Sequence, residues 1–163
     1  HTVKLVNNGT ISLSGKESIG IYANYGIIEN NSIIETSGTK SYGIYGVNGT
    51  EVTTAAGSQI KSSSEGAGIV LQSYVTDPLT GTIVSSGYGD GTFKLDHNGE
   101  IIVTGTKAFG IYADNNDTAL LPSITNRVLD LKVGSKIDLS GTTDKGTGVY
   151  ANKVTVNNSG WNY

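Results

Sequence analysis

Residues 18–23 read SIGIYA. The stretch returns as SYGIYG at 41–46, AFGIYA at 108–113 and GTGVYA at 146–151, with a weaker copy, GAGIVL, at 66–71. A catalytic centre is ordinarily written once. A motif written five times in 163 residues points to a structural unit that stacks on itself. Aligned on Gly20, Gly43, Gly68, Gly110 and Gly148, the copies lie 23, 25, 42 and 38 residues apart. The first two spacings define a unit of about 20–25 residues and the last two are near twice that, which is the range of solenoid repeats.

A second block precedes each copy. NGTISLSG (8–15) is matched by NSIIETSG (31–38), NGEIIVTG (98–105), GSKIDLSG (134–141) and, most poorly, GSQIKSSS (57–64). Its isoleucines, Ile11, Ile34, Ile60, Ile101 and Ile137, fall in one column. The longest match sets VKLVNNGTISLSGKESIGIYA (3–23) against FKLDHNGEIIVTGTKAFGIYA (93–113) without a gap. Each copy holds three short pieces of alternating apolar residues: Val3/Leu5, Ile11/Leu13 and Ile19/Ile21/Ala23 in the first. Asn-Gly and Ser-Gly punctuate them. A period of two bounded by turn residues predicts three short strands per unit, one face inward.

Three strands and three turns in about 22 residues make one coil of a parallel β-helix, with successive coils about 4.8 Å apart. Parallel crossovers are right-handed by default, so a right-handed helix of about seven coils is expected for the chain. A β-sandwich is disfavoured, because hairpin strands need neither identical spacing nor identical side chains. Strict alternation puts Ile19, Ile21 and Ala23 inside and Gly20 outside. Ile44, Ile69, Ile111 and Val149 then stack on Ile21, and Tyr22, Tyr45, Tyr112 and Tyr150 share an outward column that Val70 interrupts. Sugar C–H faces pack on aromatic rings, so the column is a candidate glycan platform, though aromatic columns also serve simply as cross-strand packing. Asn8, Asn31, Asn98 and Asn158 are expected to form an amide ladder along the rod.

Composition narrows the function classes. The chain has 23 Gly, 2 Pro, no Cys and no Met, and only 15% charged residues, against roughly 25% in ordinary soluble domains. Short strands and tight turns fit that mix; helices with charged faces do not. The net charge is −3 with a single arginine, Arg127, and the lysines are scattered, so no nucleic-acid surface is expected. The lack of cysteine removes disulfides and thiol chemistry together. No apolar run reaches a membrane span and no signal peptide stands at the start, so the chain is expected to be a fragment of a longer protein.

The repeat fails in two places, about 72–91 (QSYVTDPLTGTIVSSGYGDG) and about 114–127 (DNNDTALLPSITNR), which hold both prolines and Arg127. In a solenoid, insertions project from the turns, and loops on a rigid scaffold commonly carry binding. The candidate binding residues are Tyr74, Asp77 and Tyr88 in the first insertion and Asp114, Asn115, Asn116, Asp117 and Arg127 in the second. Tyr supplies contact area and a hydroxyl at low entropic cost.

Catalysis is not expected. A glycoside hydrolase needs two carboxylates about 5–9 Å apart, and nothing in the repeat register brings Asp96, Asp130 or Asp138 together in that way. His97, in the Asn-Gly turn DHNG, is expected to be exposed. DNND (114–117) lacks the calcium-loop spacing and its distal Glu, and no His pair has metal spacing, so no metal or cofactor is expected.

The unit NGTI.LSG…S.GIYA, with its Asn-Gly turns and GIY strand ends, resembles the passenger repeats of fusobacterial autotransporter adhesins, over roughly 3–23, 28–71 and 93–163. The resemblance implies a β-helical passenger reaching the bacterial cell surface by type V secretion, anchored in the outer membrane by a C-terminal β-barrel outside this chain. It implies adhesion, in the service of virulence, to host-cell glycans, to a protein receptor or to a partner bacterium, and it brings no catalytic residues. The alternatives are a stalk that only adds length and, third, a β-helical polysaccharide-active enzyme. A monomer is expected, with end-to-end association as the hazard of open coil ends.

Overall fold

The computed structural model describes residues 3–73, 75–76, 83–84, 93–115 and 127–159. The first coil comprises β1 (Lys4–Asn7), β2 (Ile11–Leu13) and β3 (Ile19–Asn24), and the second β4 (Ile27–Asn30), β5 (Ile33–Thr36) and β6 (Tyr42–Val47). The third comprises β7 (Glu51–Thr54), β8 (Gln59–Ser62) and β9 (Ala67–Gln72). Two short strands follow, β10 (Val75–Thr76) and β11 (Ile83–Val84). The fourth coil holds β12 (Phe93–His97), β13 (Glu100–Thr106) and β14 (Phe109–Asp114), and the fifth β15 (Arg127–Leu131), β16 (Lys136–Asp144) and β17 (Thr147–Asn152). β18 (Thr155–Asn158) opens a sixth.

The strands stack into three parallel sheets. Sheet A runs β1-β4-β7-β12-β15-β18, sheet B β2-β5-β8-β13-β16 and sheet C β3-β6-β9-β14-β17. This is a parallel β-helix with three strands per coil. The described residues give five complete coils and the start of a sixth, where length alone suggests about seven. The difference lies in the insertions: β9 pairs directly with β14 and β12 directly with β15, so neither insertion adds a coil to the stack. Of the repeat-like GTIVSSG at 81–87, the described residues Ile83 and Val84 join no coil sheet; they pair antiparallel with Thr76 and Val75.

One aliphatic ladder per sheet fills the interior. Sheet A stacks Leu5, Ile28, Val52, Leu95, Leu129 and Val156. Sheet B stacks the five isoleucines of the second sequence block, and sheet C stacks Ile21, Ile44, Ile69, Ile111 and Val149, both as the alignment predicts. In the middle coils these side chains are fully buried, whereas Val149 and Ile137 of the fifth coil are only partly covered. At about 25 cal/mol per Å2, each complete burial of an aliphatic chain contributes about 1.5–3 kcal/mol, and the ladder repeats that gain coil by coil.

The recurring glycine is the second residue of each sheet C strand, just past the corner from sheet B. Contrary to strict alternation, Gly20 does not point outward. A Cβ there would stand 2.7 Å from Ile34 Cγ2 and 2.5 Å from the Gly43 carbonyl oxygen. At Gly68 the same distances are 2.6 Å to Ile101 Cγ2 and 2.8 Å to the Gly110 oxygen. The chain bends inward at this glycine and passes over the branched isoleucine of sheet B, leaving no volume for a side chain. The residue before the glycine is thereby turned out. Ile19, read as internal from alternation, is 38% exposed, and Tyr42 and Phe109 of the same column face outward beside Tyr45 and Tyr112.

A tight turn precedes that corner. Glu17, Lys40, Glu65, Lys107 and Lys145 occupy it in successive coils, all in the left-handed region with φ of 52–59°. The strain is held by the stack: the amides of Glu17, Lys40, Glu65 and Lys107 donate to carbonyls of the next coil at 2.8–2.9 Å.

Candidate functional site

The outer face of sheet C carries two side-chain columns. One is Ile19, Tyr42, Ala67, Phe109, Thr147; the other is Tyr22, Tyr45, Val70, Tyr112, Tyr150. Aromatic rings therefore crowd the second coil and the fourth, and are absent from the third. Tyr42 meets Tyr45 edge-on at 5.3 Å, and Phe109 meets Tyr112 edge-on at 5.4 Å. Tyr112 stacks on Tyr150 at 4.7 Å with 12° between the planes.

Between these clusters, over Ala67 and Val70, lies a cleft of about 240 Å3. Tyr42 and Tyr45 form one wall, Phe109 and Tyr112 the other, and Glu65 and Gln72 stand at its edges. The Tyr45 hydroxyl donates to Gln72 Oε1 at 2.7 Å. Burial, followed by the neighbouring phenols Tyr42, Tyr22 and Tyr112, pushes the Tyr45 hydroxyl up to about 12, so it stays a neutral donor. The Tyr112 hydroxyl is raised as well, by burial first and then by Asp114.

The insertion residues divide into two groups. Tyr74, Asp77, Tyr88, Asn116 and Asp117 lie outside the described residues. Asp114, Asn115 and Arg127 occupy positions of the coil. Asp114 ends β14, stacked on Gln72 and Asn152, and its Oδ1 accepts from Asn152 Nδ2 at 2.8 Å. Asn115 takes the next turn position; its Oδ1 accepts from Ser73 Oγ at 3.0 Å and its Nδ2 donates to the Lys153 carbonyl. Arg127 begins β15 as the register partner of Phe93 and is only 3% exposed. Both insertions thus leave the rod at one corner, from the neighbours Ser73 and Asn115, and return through the neighbours Phe93 and Arg127. Their roots abut the Gln72 end of the aromatic cleft.

The outer face of sheet A brings together two carboxylates that the sequence left apart. Asp96 and Asp130 are direct register partners on adjacent coils. Lys132 bridges them at 3.2 and 3.5 Å, and Lys94 reaches Asp96 at 2.9 Å. Burial raises the Asp96 carboxyl, but hydrogen bonds from Lys94 and Lys132 more than offset it and hold it below the usual range. Asp96 is therefore ionised near neutral pH, held by two lysines and unsuited to donate a proton there. On sheet B, Lys136 spans Glu100 at 3.1 Å and Asp138 at 2.8 Å in the same manner.

His97 is buried in β12, not exposed in a turn. It shares an inward column with Asn7, Asn30, Thr54, Leu131 and Asn158. Thr54 Oγ1 accepts from the amides of Asn98 and Gly99, so its proton goes to His97 Nδ1 at 2.7 Å. Burial lowers the imidazole pKa, and the ring is a neutral structural group. Asn158 belongs to this column and not to that of Asn8, Asn31 and Asn98. The outward ladder forms between Asn31 Nδ2 and Asn8 Oδ1 at 2.9 Å and is broken by Ala55 in the third coil. Among the described residues no three His, Cys, Asp or Glu side chains gather as metal ligands. The chain matches no family model, no curated protein and no solved structure.

Proposed function

We propose that this chain is a non-catalytic adhesive segment, displayed on a bacterial cell surface as the passenger of an outer-membrane autotransporter. In this reading it is a stiff rod that attaches to host-cell glycans or receptors, or to a partner bacterium. The observation that carries the reading is the sheet C face. It concentrates aromatic rings, leaves Tyr22 and Tyr150 substantially exposed, and borders the corner from which both insertions emerge. The outer faces of sheets A and B are instead occupied by ion pairs between and along coils. The carboxylates found side by side are tied to lysines, which favours binding over acid–base turnover.

The test is binding of the chain to a glycan array and to host cells, beside a variant with residues 116–126 replaced by a short Gly/Ser turn. The adhesive reading expects the parent chain to bind. Loss of binding in a folded variant assigns recognition to the second insertion, and retained binding assigns it to the aromatic face or the first insertion. A folded parent chain that binds nothing contradicts the reading.

A stalk without a binding site of its own is the second reading. The close stacking of Tyr112 on Tyr150 favours it, since a column that packs on itself needs no ligand. It expects the null result.

A further inference from the structure

We propose that the cleft in the third coil is a saccharide subsite that takes one neutral pyranose ring between the Tyr42/Tyr45 wall and the Phe109/Tyr112 wall. The proposal rests on the glycan-binding form of the adhesive reading and locates it. Three features of the cleft select its occupant: its width, its rim and its charge.

The width comes from the repeat. β6 and β14 flank β9, so their side-chain columns stand two coil spacings apart, about 9.6 Å. A ring placed in the plane of the third coil lies about 4.8 Å from each wall. That is the separation at which Tyr112 and Tyr150 already stack, 4.7 Å between centroids. The cleft lies where the third coil lacks rings, over Ala67 and Val70; both are almost wholly buried, so the sugar packs on the aromatic walls and the rim and not on this floor. Its volume, about 240 Å3, lies below the 300–1,000 Å3 typical of drug-sized ligands, which suits one ring and not an oligomer.

The rim separates sugars from aromatic side chains. Glu65 stands at one edge; Gln72, joined to the Tyr45 hydroxyl, stands at the other. A phenyl ring satisfies neither edge and a phenol at most one. A pyranose presents apolar C–H faces to the electron-rich rings and hydroxyls around its whole perimeter. The charge disfavours acidic sugars: among the described residues the one charged lining residue is Glu65, a carboxylate, and no cation lines the cleft. Lys40 lies 4.0 Å from Glu65 within the turn column and is not part of the lining.

The deciding variant is Val70→Tyr. Tyr fills this column in the four other coils, so the substitution completes a packing that the rod already uses. The measurement is a titration followed by saturation-transfer NMR, with methyl glycosides of neutral hexoses and with glucuronic and sialic acids, after thermal melts show that the variant folds. The proposal expects weak binding of at least one neutral glycoside, at least tenfold tighter than either acid, and a loss of at least about tenfold in Val70→Tyr. Gln72→Ala, which keeps the walls, weakens the same sugar and serves if Val70→Tyr fails to fold. Neutral sugars binding the parent chain and a folded Val70→Tyr equally overturns the subsite and leaves glycan binding intact elsewhere. Preference for the acidic sugars also overturns it. No binding of any monosaccharide, with cell binding retained, overturns the subsite and leaves adhesion through a protein receptor. No binding to sugars or cells ends both readings.

Discussion

The inward and outward columns of sheet C differ in how strictly they repeat. The inward column is Ile21, Ile44, Ile69, Ile111 and Val149, aliphatic in every coil. The outward column two rings wide changes abruptly in the third coil, to Ala67 and Val70. Inside, each side chain is enclosed by the coils on either side and by the two other sheets, so a change of one methylene is felt. Outside, a side chain has neighbours above and below but open space beyond. Deviation there is tolerated, and it leaves a shaped gap. What the rod offers a partner is therefore found where the outer repeat fails.

The contrast can be broken most severely from within. Ile111→Ala, at a fully buried position, is expected to lower stability by about 3–4 kcal/mol, read as a shift in the urea midpoint. The glycine corner comes next. Gly68→Ala drives a methyl against Ile101 and a backbone carbonyl and costs about 2–3 kcal/mol, whereas Gly148→Ala meets only Leu139 Cδ1 at 3.7 Å and stays within about 0.5 kcal/mol. Equal losses at the two glycines would remove the close-packing account of the motif.

A smaller effect tests the polar inner column. The His97 pKa is depressed in the folded chain, so the unfolded chain binds the proton first as pH falls. Stability is full above pH about 6.5 and declines below it, by up to about 1.4 kcal/mol per pH unit until the folded pKa is reached. His97→Asn, which places the residue of the first and second coils at this position, is expected to abolish that slope between pH 6.5 and 5.5. The smallest change is on the outer face: Val70→Tyr is expected to raise stability by about 0.5–1 kcal/mol by completing the aromatic column. Destabilisation there would mean that the gap is a packing requirement of the third coil.

The inner ladders were legible because a period of two and a gapless 21-residue match fix register directly. The corner was not: alternation assumes a straight strand, and Gly20 sits where the chain bends, so Ile19 turns out and the glycine turns in. His97 was misplaced because Asn-Gly punctuation suggests an early turn, while β12 continues through His97. The Asp96–Asp130 stack was hidden because the second insertion separates the two strands and RVLDL shares only its Leu-Asp pair with FKLDH, without the Asn-Gly that follows it there. The break at Val70 was visible in the sequence, but the cleft above it depends on the orientations of Tyr42 and Phe109, which the bend at the glycine sets.

The most direct test of the account follows the aromatic ring resonances of the parent chain by two-dimensional NMR while a neutral methyl glycoside is added. The account predicts saturable shifts confined to Tyr42, Tyr45, Phe109 and Tyr112, with Tyr22 and Tyr150 little changed. Shifts centred on Tyr22 or Tyr150, or no saturable shift with any neutral glycoside, would contradict it.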